Sequence, residues 1–178
     1  MTISTLILAA GRGQRMRPLT DDTPKPLLQV RGQALMDWHV QALAQGGFTR
    51  LVINTDWLGQ QFVPHFEHQI RLQPNKYGRI KLSFSYSHEG LDFGAALETA
   101  GGVARALPLL GDVFWVLAGD IFTPGFAFTQ DAVERFNGSG KLAHLWLVAN
   151  PAHNLKGDFG LSADGLALNL PAGSQQPR

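Results

Sequence analysis

The chain has 178 residues, 44% of them hydrophobic and 10% aromatic, enough to build the core of one compact domain. Its 15 Lys and Arg against 14 Asp and Glu leave a net charge of +1, which excludes a module that grips nucleic acid through bulk charge. There is no cysteine, so disulfides, thiolate zinc sites and cysteine nucleophiles are excluded too.

The first apolar run, ISTLILA at 3–9, reads as a buried strand that stops at a glycine-bearing loop. It is too short to span a membrane, and because its charges follow the apolar residues it is not a secretory signal. A soluble, cytoplasmic protein with no membrane partner is expected. The loop from Ala10 to Lys25 carries two glycines, two prolines and a DDTP turn signal. LLQV at 27–30 can pair briefly before the Arg31-Gly32-Gln33 turn. Residues 34–46 then place Leu35, Trp38, Ala42 and Leu43 on one side of a helix closed by Gly46-Gly47.

TRLVIN at 49–54 reads as a second buried strand. Leu58, Phe62, Phe66 and Ile70 form a helical stripe, in which Pro64 predicts a kink or a late start. IKLSFSY at 80–86 alternates as an edge-like or half-covered strand. A helix across 95–107, a third apolar strand at 113–118, a helix near 129–136 and a strand at 142–149 follow. Trp38, Trp115 and Trp146 are read as core, and Trp57 as partly exposed near the rim of the sheet. His65 and His68 are placed on a solvated helix face. Beyond Gly157 an Ala163-Asp164-Gly165 turn flanked by apolar residues predicts a hairpin, and 171–178 a mobile tail.

Strands separated by helical stretches predict crossover connections, and hence a three-layer α-β-α arrangement with a mostly parallel, mixed central sheet. Ligands bind such sheets outside the carboxyl ends of the strands. The first strand ends in GRGQR and the third in GD, so both sequences fall on one rim.

Four of the cations, Arg12, Arg15, Arg17 and Lys25, lie within one short loop, which suits a small anion better than a long one. Gly11 and Gly13 can offer backbone N–H groups in a tight turn, Arg15 a planar fork for two phosphate oxygens, and Lys25 a charge stiffened by Pro24 and Pro26. The third glycine of the dinucleotide fingerprint and the GK[ST] of the ATPase loop are both missing. A plain surface turn is the alternative, and Arg12 and Arg17 can equally face solvent. Asp120 at the mouth of a central strand suits Mg²⁺ or, alternatively, caps a turn. One carboxylate needs help with Mg²⁺; Asp158 is the first candidate for a second ligand and Asp92 a weaker one. Glu98 can accept from a base or a sugar hydroxyl. Gly101 and Gly102 either admit a flat ligand or relieve crowding between helix and sheet. Lys156 can neutralise a substrate phosphate or simply face solvent.

LILAAGRGQRMRPLTDDTPKPLLQV, LETAGG, LAGD and NPAHNLKGDFGL together resemble the sugar-1-phosphate nucleotidyltransferases, over residues 3 to about 168. The resemblance implies a Rossmann-like fold of the glycosyltransferase-A type and Mg²⁺-dependent nucleotidyl transfer that releases pyrophosphate. Within the family the pattern is most like members that transfer a uridylyl group from UTP to N-acetylmuramate-1-phosphate in peptidoglycan recycling. It implies that Ala10, Gly11, Gly13, Arg15, Lys25, Glu98, Gly101 and Gly102 hold the nucleotide. Arg15, Lys25 and Asp120 would be catalytic, with Asp120 binding the metal, and Asn150, Lys156, Gly157 and Asp158 would lie near the sugar. The family's chains usually continue with another sheet segment and a W-x-D-x-G-T-like motif whose Asp also binds metal. Here a single domain lacking that segment is expected. Alternatives at this stage are a mannose- or glucose-1-phosphate nucleotidyltransferase, a phosphocholine cytidylyltransferase, and a non-catalytic nucleotide-binding domain.

Overall fold

The computed structural model describes residues 3–72, 80–94, 96–152 and 154–169. The chain divides into two compact units, Met1–Asn137 and Gly138–Arg178.

In the first unit β1 (Ser4–Leu8) runs down the middle of the main sheet. The short strands β2 (Gln29–Val30) and β3 (Gln33–Ala34) pair antiparallel around the expected Arg31-Gly32 turn. Helix α1 (Leu35–Gln45) follows and buries Leu35, Met36, Val40 and Leu43. Its end is closed as expected: Gly46 N–H donates to Ala42 O at 3.0 Å, and Gly47 takes a left-handed φ of 81°. Strand β4 (Arg50–Thr55) is buried along nearly its whole length. A 3-10 turn at Gly59–Gln61 leads into α2 (Phe62–Leu72), so Pro64 sits in the first turn, where its missing N–H costs nothing. The proline marks a late start and not a kink.

Strand β5 (Ser83–His88) is followed directly by a short helix α3 (Glu89–Phe93) that the sequence pattern does not announce. Then come α4 (Glu98–Ala106), β6 (Phe114–Ala118) and α5 (Gln130–Gly138). The main sheet has the order β5-β4-β1-β6, and all three of its pairings are parallel. β5 is an edge strand, in line with its half-polar alternation.

Alternate residues of the central strands feed two cores. Ile7, Leu51 and Ile53 pack with Val40, Leu43, Phe62 and Phe66 on one face, while Leu6 and Val52 pack with Ala106 on the other. Helices therefore cover both faces. Trp115 belongs to the first core, against Phe48, Phe126 and Phe128. Trp38 is only partly buried; its Nε1 donates to Val30 O at 3.2 Å. His65 is not on a solvated face. Its Nε2 lies 2.9 Å from Oδ1 of Asp37, a carboxylate that α1 carries into the interior. The His68 side chain lies outside the described residues.

In the second unit the expected strand at 142–149 is absent. Its residues form no ladder and are all exposed, Trp146 among them at 47%. An alternating apolar segment becomes a strand only when another backbone accepts its hydrogen bonds, and none among the described residues does. The hairpin does form: β7 (Gly160–Leu161) pairs antiparallel with β8 (Ala167–Leu168) around the Ala163–Gly165 turn. The tail 171–178 lies outside the described residues. Among those residues no helix is long and apolar enough to cross a membrane.

Candidate active site

Chain connections place the site. From β1 the chain moves to β4 and β5 on one side, then returns to β6 on the other, so β1 and β6 flank the point where strand order reverses. The carboxyl ends of these strands open into a cleft of about 460 Å³, a size suited to a small ligand. Ala10, Gly11, Arg12, Gly13 and Lys25 line it from the loop after β1, and Asp120 from the end of β6. Gln14, Asn54, Glu89, Glu98 and Thr99 complete its polar lining.

The glycine-arginine loop is held by its own backbone. Gly13 adopts φ 66°, and a Cβ there would stand 2.9 Å from Thr20 Cγ2 and 3.2 Å from Lys25 Cβ. Glycine thus lets the loop fold onto Thr20 and Lys25. Thr20 is buried; its hydroxyl donates to Gly13 O at 2.9 Å, and its own carbonyl accepts from Trp57 Nε1 at 3.0 Å. Trp57 is half-buried, and the Arg12 guanidinium lies 4.1 Å from its ring centre. Arg17 is paired with Asp21 at 2.5 Å on the exposed side of the loop.

Lys25 opens a 3-10 turn, Lys25–Leu27, in which Pro26 and Leu27 are buried. Its Nζ donates to Asp120 Oδ2 at 2.7 Å, joining residues 95 apart in the chain. The pair is partly exposed, with 27% and 38% of the two side chains accessible. Asp120 Oδ1 has no partner among the described residues, and an open carboxylate oxygen on this cleft fits Mg²⁺, which commonly takes one or two carboxylates plus substrate phosphates. Among the described residues no cluster of three or more His, Cys, Asp and Glu forms a self-sufficient metal site.

His39 is 2% exposed and donates from Nε2 to the carbonyl of Ile121, the residue after Asp120, at 2.8 Å. Burial pushes its pKa below the ordinary 6.5, against the raising effects of that hydrogen bond and of Asp120. A depressed folded-state value means that stability is complete above about pH 6.5 and is lost as the pH falls toward the lower value. Thermal midpoints measured across that interval should fall less steeply in His39→Gln than in the native chain; equal slopes would contradict this.

One polar network was not signalled by the sequence. Glu89, 1% exposed at the start of α3, accepts from Asn54 Nδ2 through Oε1 and from Leu97 N–H through Oε2, both at 2.5 Å. It thereby ties the end of β4 to the segment leading into α4. The available clue was an acid directly after a strand, on the same rim as Gly11 and Asp120.

Gly102 is buried in α4, where a Cβ would meet Glu89 Oε1 at 2.5 Å and Asn54 Nδ2 at 3.1 Å. A Cβ at Gly101 would lie 2.5 Å from Leu97 Cβ. Neither glycine lines the cleft; both relieve crowding. Glu98 does line it, with φ 60° in the left-handed region. That conformation costs a non-glycine residue about 1–2 kcal/mol. An acid in the first turn of a helix recovers only about 0.3–1 kcal/mol from the dipole.

Arg15 lies in the 3-10 turn Gln14–Met16, exposed and outside the cleft lining. The remaining expected residues belong to the second unit. There Asn150 Nδ2 donates to Leu155 O at 3.1 Å, and Gly157, at φ 67°, brings its Cα against the Asn150 amide. Asp158 accepts from Asn154 Nδ2 at 3.2 Å, and Lys156 is exposed. The Asp92 side chain lies outside the described residues.

The nucleotidyl transferase family model matches residues 4–163. N-acetylmuramate alpha-1-phosphate uridylyltransferase of Neisseria meningitidis serogroup B is 46% identical over 168 residues, covering 91% of this chain and 66% of the relative. The protein of the same description from Caulobacter vibrioides is 32% identical over 178 residues, 97% of this chain and 70% of its own. The chain thus spans about two thirds of the length of these relatives. Among solved structures, apo UDP-glucose pyrophosphorylase superposes with a TM-score of 0.55 at 24% identity, covering 67% of this chain and 48% of the other, a likeness of fold. With a parallel α/β sheet, a glycine-arginine loop at its switch point and a family match over nearly its whole length, the chain belongs to the nucleotidyl transferase family.

Proposed function

We propose that the chain transfers a uridylyl group from UTP to N-acetylmuramate-1-phosphate in the cytoplasm, with Mg²⁺, giving a UDP-sugar and pyrophosphate as a step of peptidoglycan recycling. The observation that carries the reading is the Lys25–Asp120 pair set across the switch point, facing the glycine-arginine loop. The names of the two relatives supply the nucleotide and the acceptor.

In the reaction an oxygen of the sugar phosphate attacks the α-phosphorus in line, and the bond to the bridging oxygen of pyrophosphate breaks. The nucleophile is already an anion, so no general base is required, and alignment with charge neutralisation carries the rate. The backbone of Gly11 and Gly13 holds triphosphate oxygens, while Arg15 reaches the phosphates from the loop's outer side. Lys25 neutralises charge that develops as pyrophosphate departs. Asp120 would hold Mg²⁺, and the ion would supply further neutralisation of that charge.

The test is pyrophosphate release by the 178-residue chain with UTP, CTP, GTP, ATP and dTTP against N-acetylmuramate-, N-acetylglucosamine-, glucose- and mannose-1-phosphate. Release confined to UTP with N-acetylmuramate-1-phosphate, and lost on chelation of Mg²⁺, is expected. Release with GTP and mannose-1-phosphate alone would replace the substrate assignment. Nucleotide binding with no release on any acceptor would make this a binding domain.

A further inference from the structure

The four cations of the glycine-arginine loop are held in different ways. Arg17 is paired with Asp21 and Lys25 with Asp120, while Arg15 lies outside the cleft lining. Arg12 lines the cleft, is exposed, and makes no hydrogen bond or ion pair among the described residues. Its guanidinium lies 4.1 Å from the ring centre of Trp57, a residue of the β4–α2 connection that is not itself part of the lining. That connection is shaped to hold the ring. Leu58, next in the chain, takes φ 52°, a left-handed conformation that a leucine keeps only where the surrounding structure imposes it. Trp57 Nε1 donates to Thr20 O at 3.0 Å, which fixes the indole against the loop. Gln61 Nε2, from the 3-10 turn that Leu58 opens, donates to Asp22 O at 2.8 Å and ties the same connection to the loop again.

A carboxylate and an aromatic ring restrain an arginine with opposite consequences. A carboxylate takes up N–H donors and offsets the charge, as Asp21 does for Arg17. An indole face attracts the cation but leaves its N–H donors and its charge open to an anion. An exposed arginine with no such support has to be ordered by the ligand itself, at a cost in affinity.

We infer that Trp57 is a positioning residue: its ring presents the Arg12 guanidinium to the triphosphate of a nucleotide without itself touching the ligand. That the anion is a triphosphate rests on the proposed nucleotidyl transfer. The effect of Trp57 on binding passes through Arg12, which separates it from a residue that only stabilises the fold.

Calorimetric titration with UTP and with inorganic triphosphate, in Mg²⁺ buffer, tests this. Trp57→Leu and Trp57→Phe are each measured in the native 178-residue chain and in Arg12→Ala. Trp57→Leu should weaken both ligands by about 3- to 10-fold in the native background, and by less than about twofold where Arg12 is already alanine. Trp57→Phe keeps a weaker cation-binding face, so it should lose less in the native background and nothing measurable in the other. In nuclear magnetic resonance spectra of the native chain the Arg12 side-chain protons should carry an upfield ring-current shift before any ligand is added, and Trp57→Leu should abolish it. An equal loss of affinity in both backgrounds would make Trp57 a support of the fold alone and overturn the inference. So would native affinity in Trp57→Leu, or a native chain that binds neither ligand. Pyrophosphate release is read in parallel. Its absence, with the dependence on Arg12 intact, would overturn the transfer reading and leave the role of Trp57 standing.

Discussion

Lys25→Ala is expected to lower kcat for pyrophosphate release by about 10²- to 10³-fold, the usual loss on removing one preorganised donor from a developing negative charge. The ammonium group is held before substrate arrives. Proline flanks it on both sides, its turn is anchored by buried Pro26 and Leu27, and Asp120 fixes its Nζ at 2.7 Å. The pair is partly exposed, so breaking it should cost only about 0–1 kcal/mol of stability and shift the thermal midpoint by a few degrees at most. A large loss of turnover with a nearly unchanged midpoint separates chemistry from folding. Lys25→Arg should recover little, because a planar fork does not fill the place of a compact ammonium. Asp120→Asn should raise the Mg²⁺ concentration needed for half-maximal rate as well as depress kcat. Lys25→Ala turnover within threefold of the native rate would remove Lys25 from the mechanism.

Glu89→Ala is expected to destabilise the chain by at least about 2 kcal/mol, or roughly 4–8 °C in thermal midpoint. It strands two donors, Asn54 Nδ2 in a buried place and Leu97 N–H in a partly buried one. Glu89→Gln should lose less, since one carbonyl oxygen still accepts while its amide opposes a donor. Gly102→Ala attacks the same contact from the other side, because the added Cβ would press on Glu89 Oε1, and its loss should be comparable. As these residues share one contact, Glu89→Ala combined with Gly102→Ala should be clearly less than additive. Thermal denaturation of the three variants checks this; shifts under about 2 °C would mean the network contributes little.

These two groups of residues show what the sequence can and cannot reveal. Lys25 and Asp120 are far apart in the chain, yet each follows an apolar strand whose end can be read directly, and parallel strands bring their ends to one rim. β1, β4, β6 and α1 were legible for the same reason: continuous apolar runs and a closing glycine pair leave few alternatives. The Glu89–Asn54 contact has no such periodicity. It links residues 35 apart through side chains that look like ordinary surface polars until α4 closes over them. The segment at 142–149 failed in the opposite way. Its alternation describes side chains, whereas a strand depends on a neighbouring backbone. Gly101 and Gly102 were visible as a pair, but the crowding they relieve depends on the positions of Leu97 and Glu89.

The order of strands in the sheet also bears on how the molecule is made. β1 is the central strand, yet its partner β6 is encoded about 110 residues later, with Leu8 opposite Ala118. During translation at about 5–20 residues per second, one side of β1 therefore waits on the order of ten seconds for its neighbour, with only β4 to pair on its other side. For that interval an apolar strand edge is open to any other backbone, including that of another nascent copy. The same parallel crossover that gathers the cleft residues at one rim leaves that edge of β1 open until β6 is made.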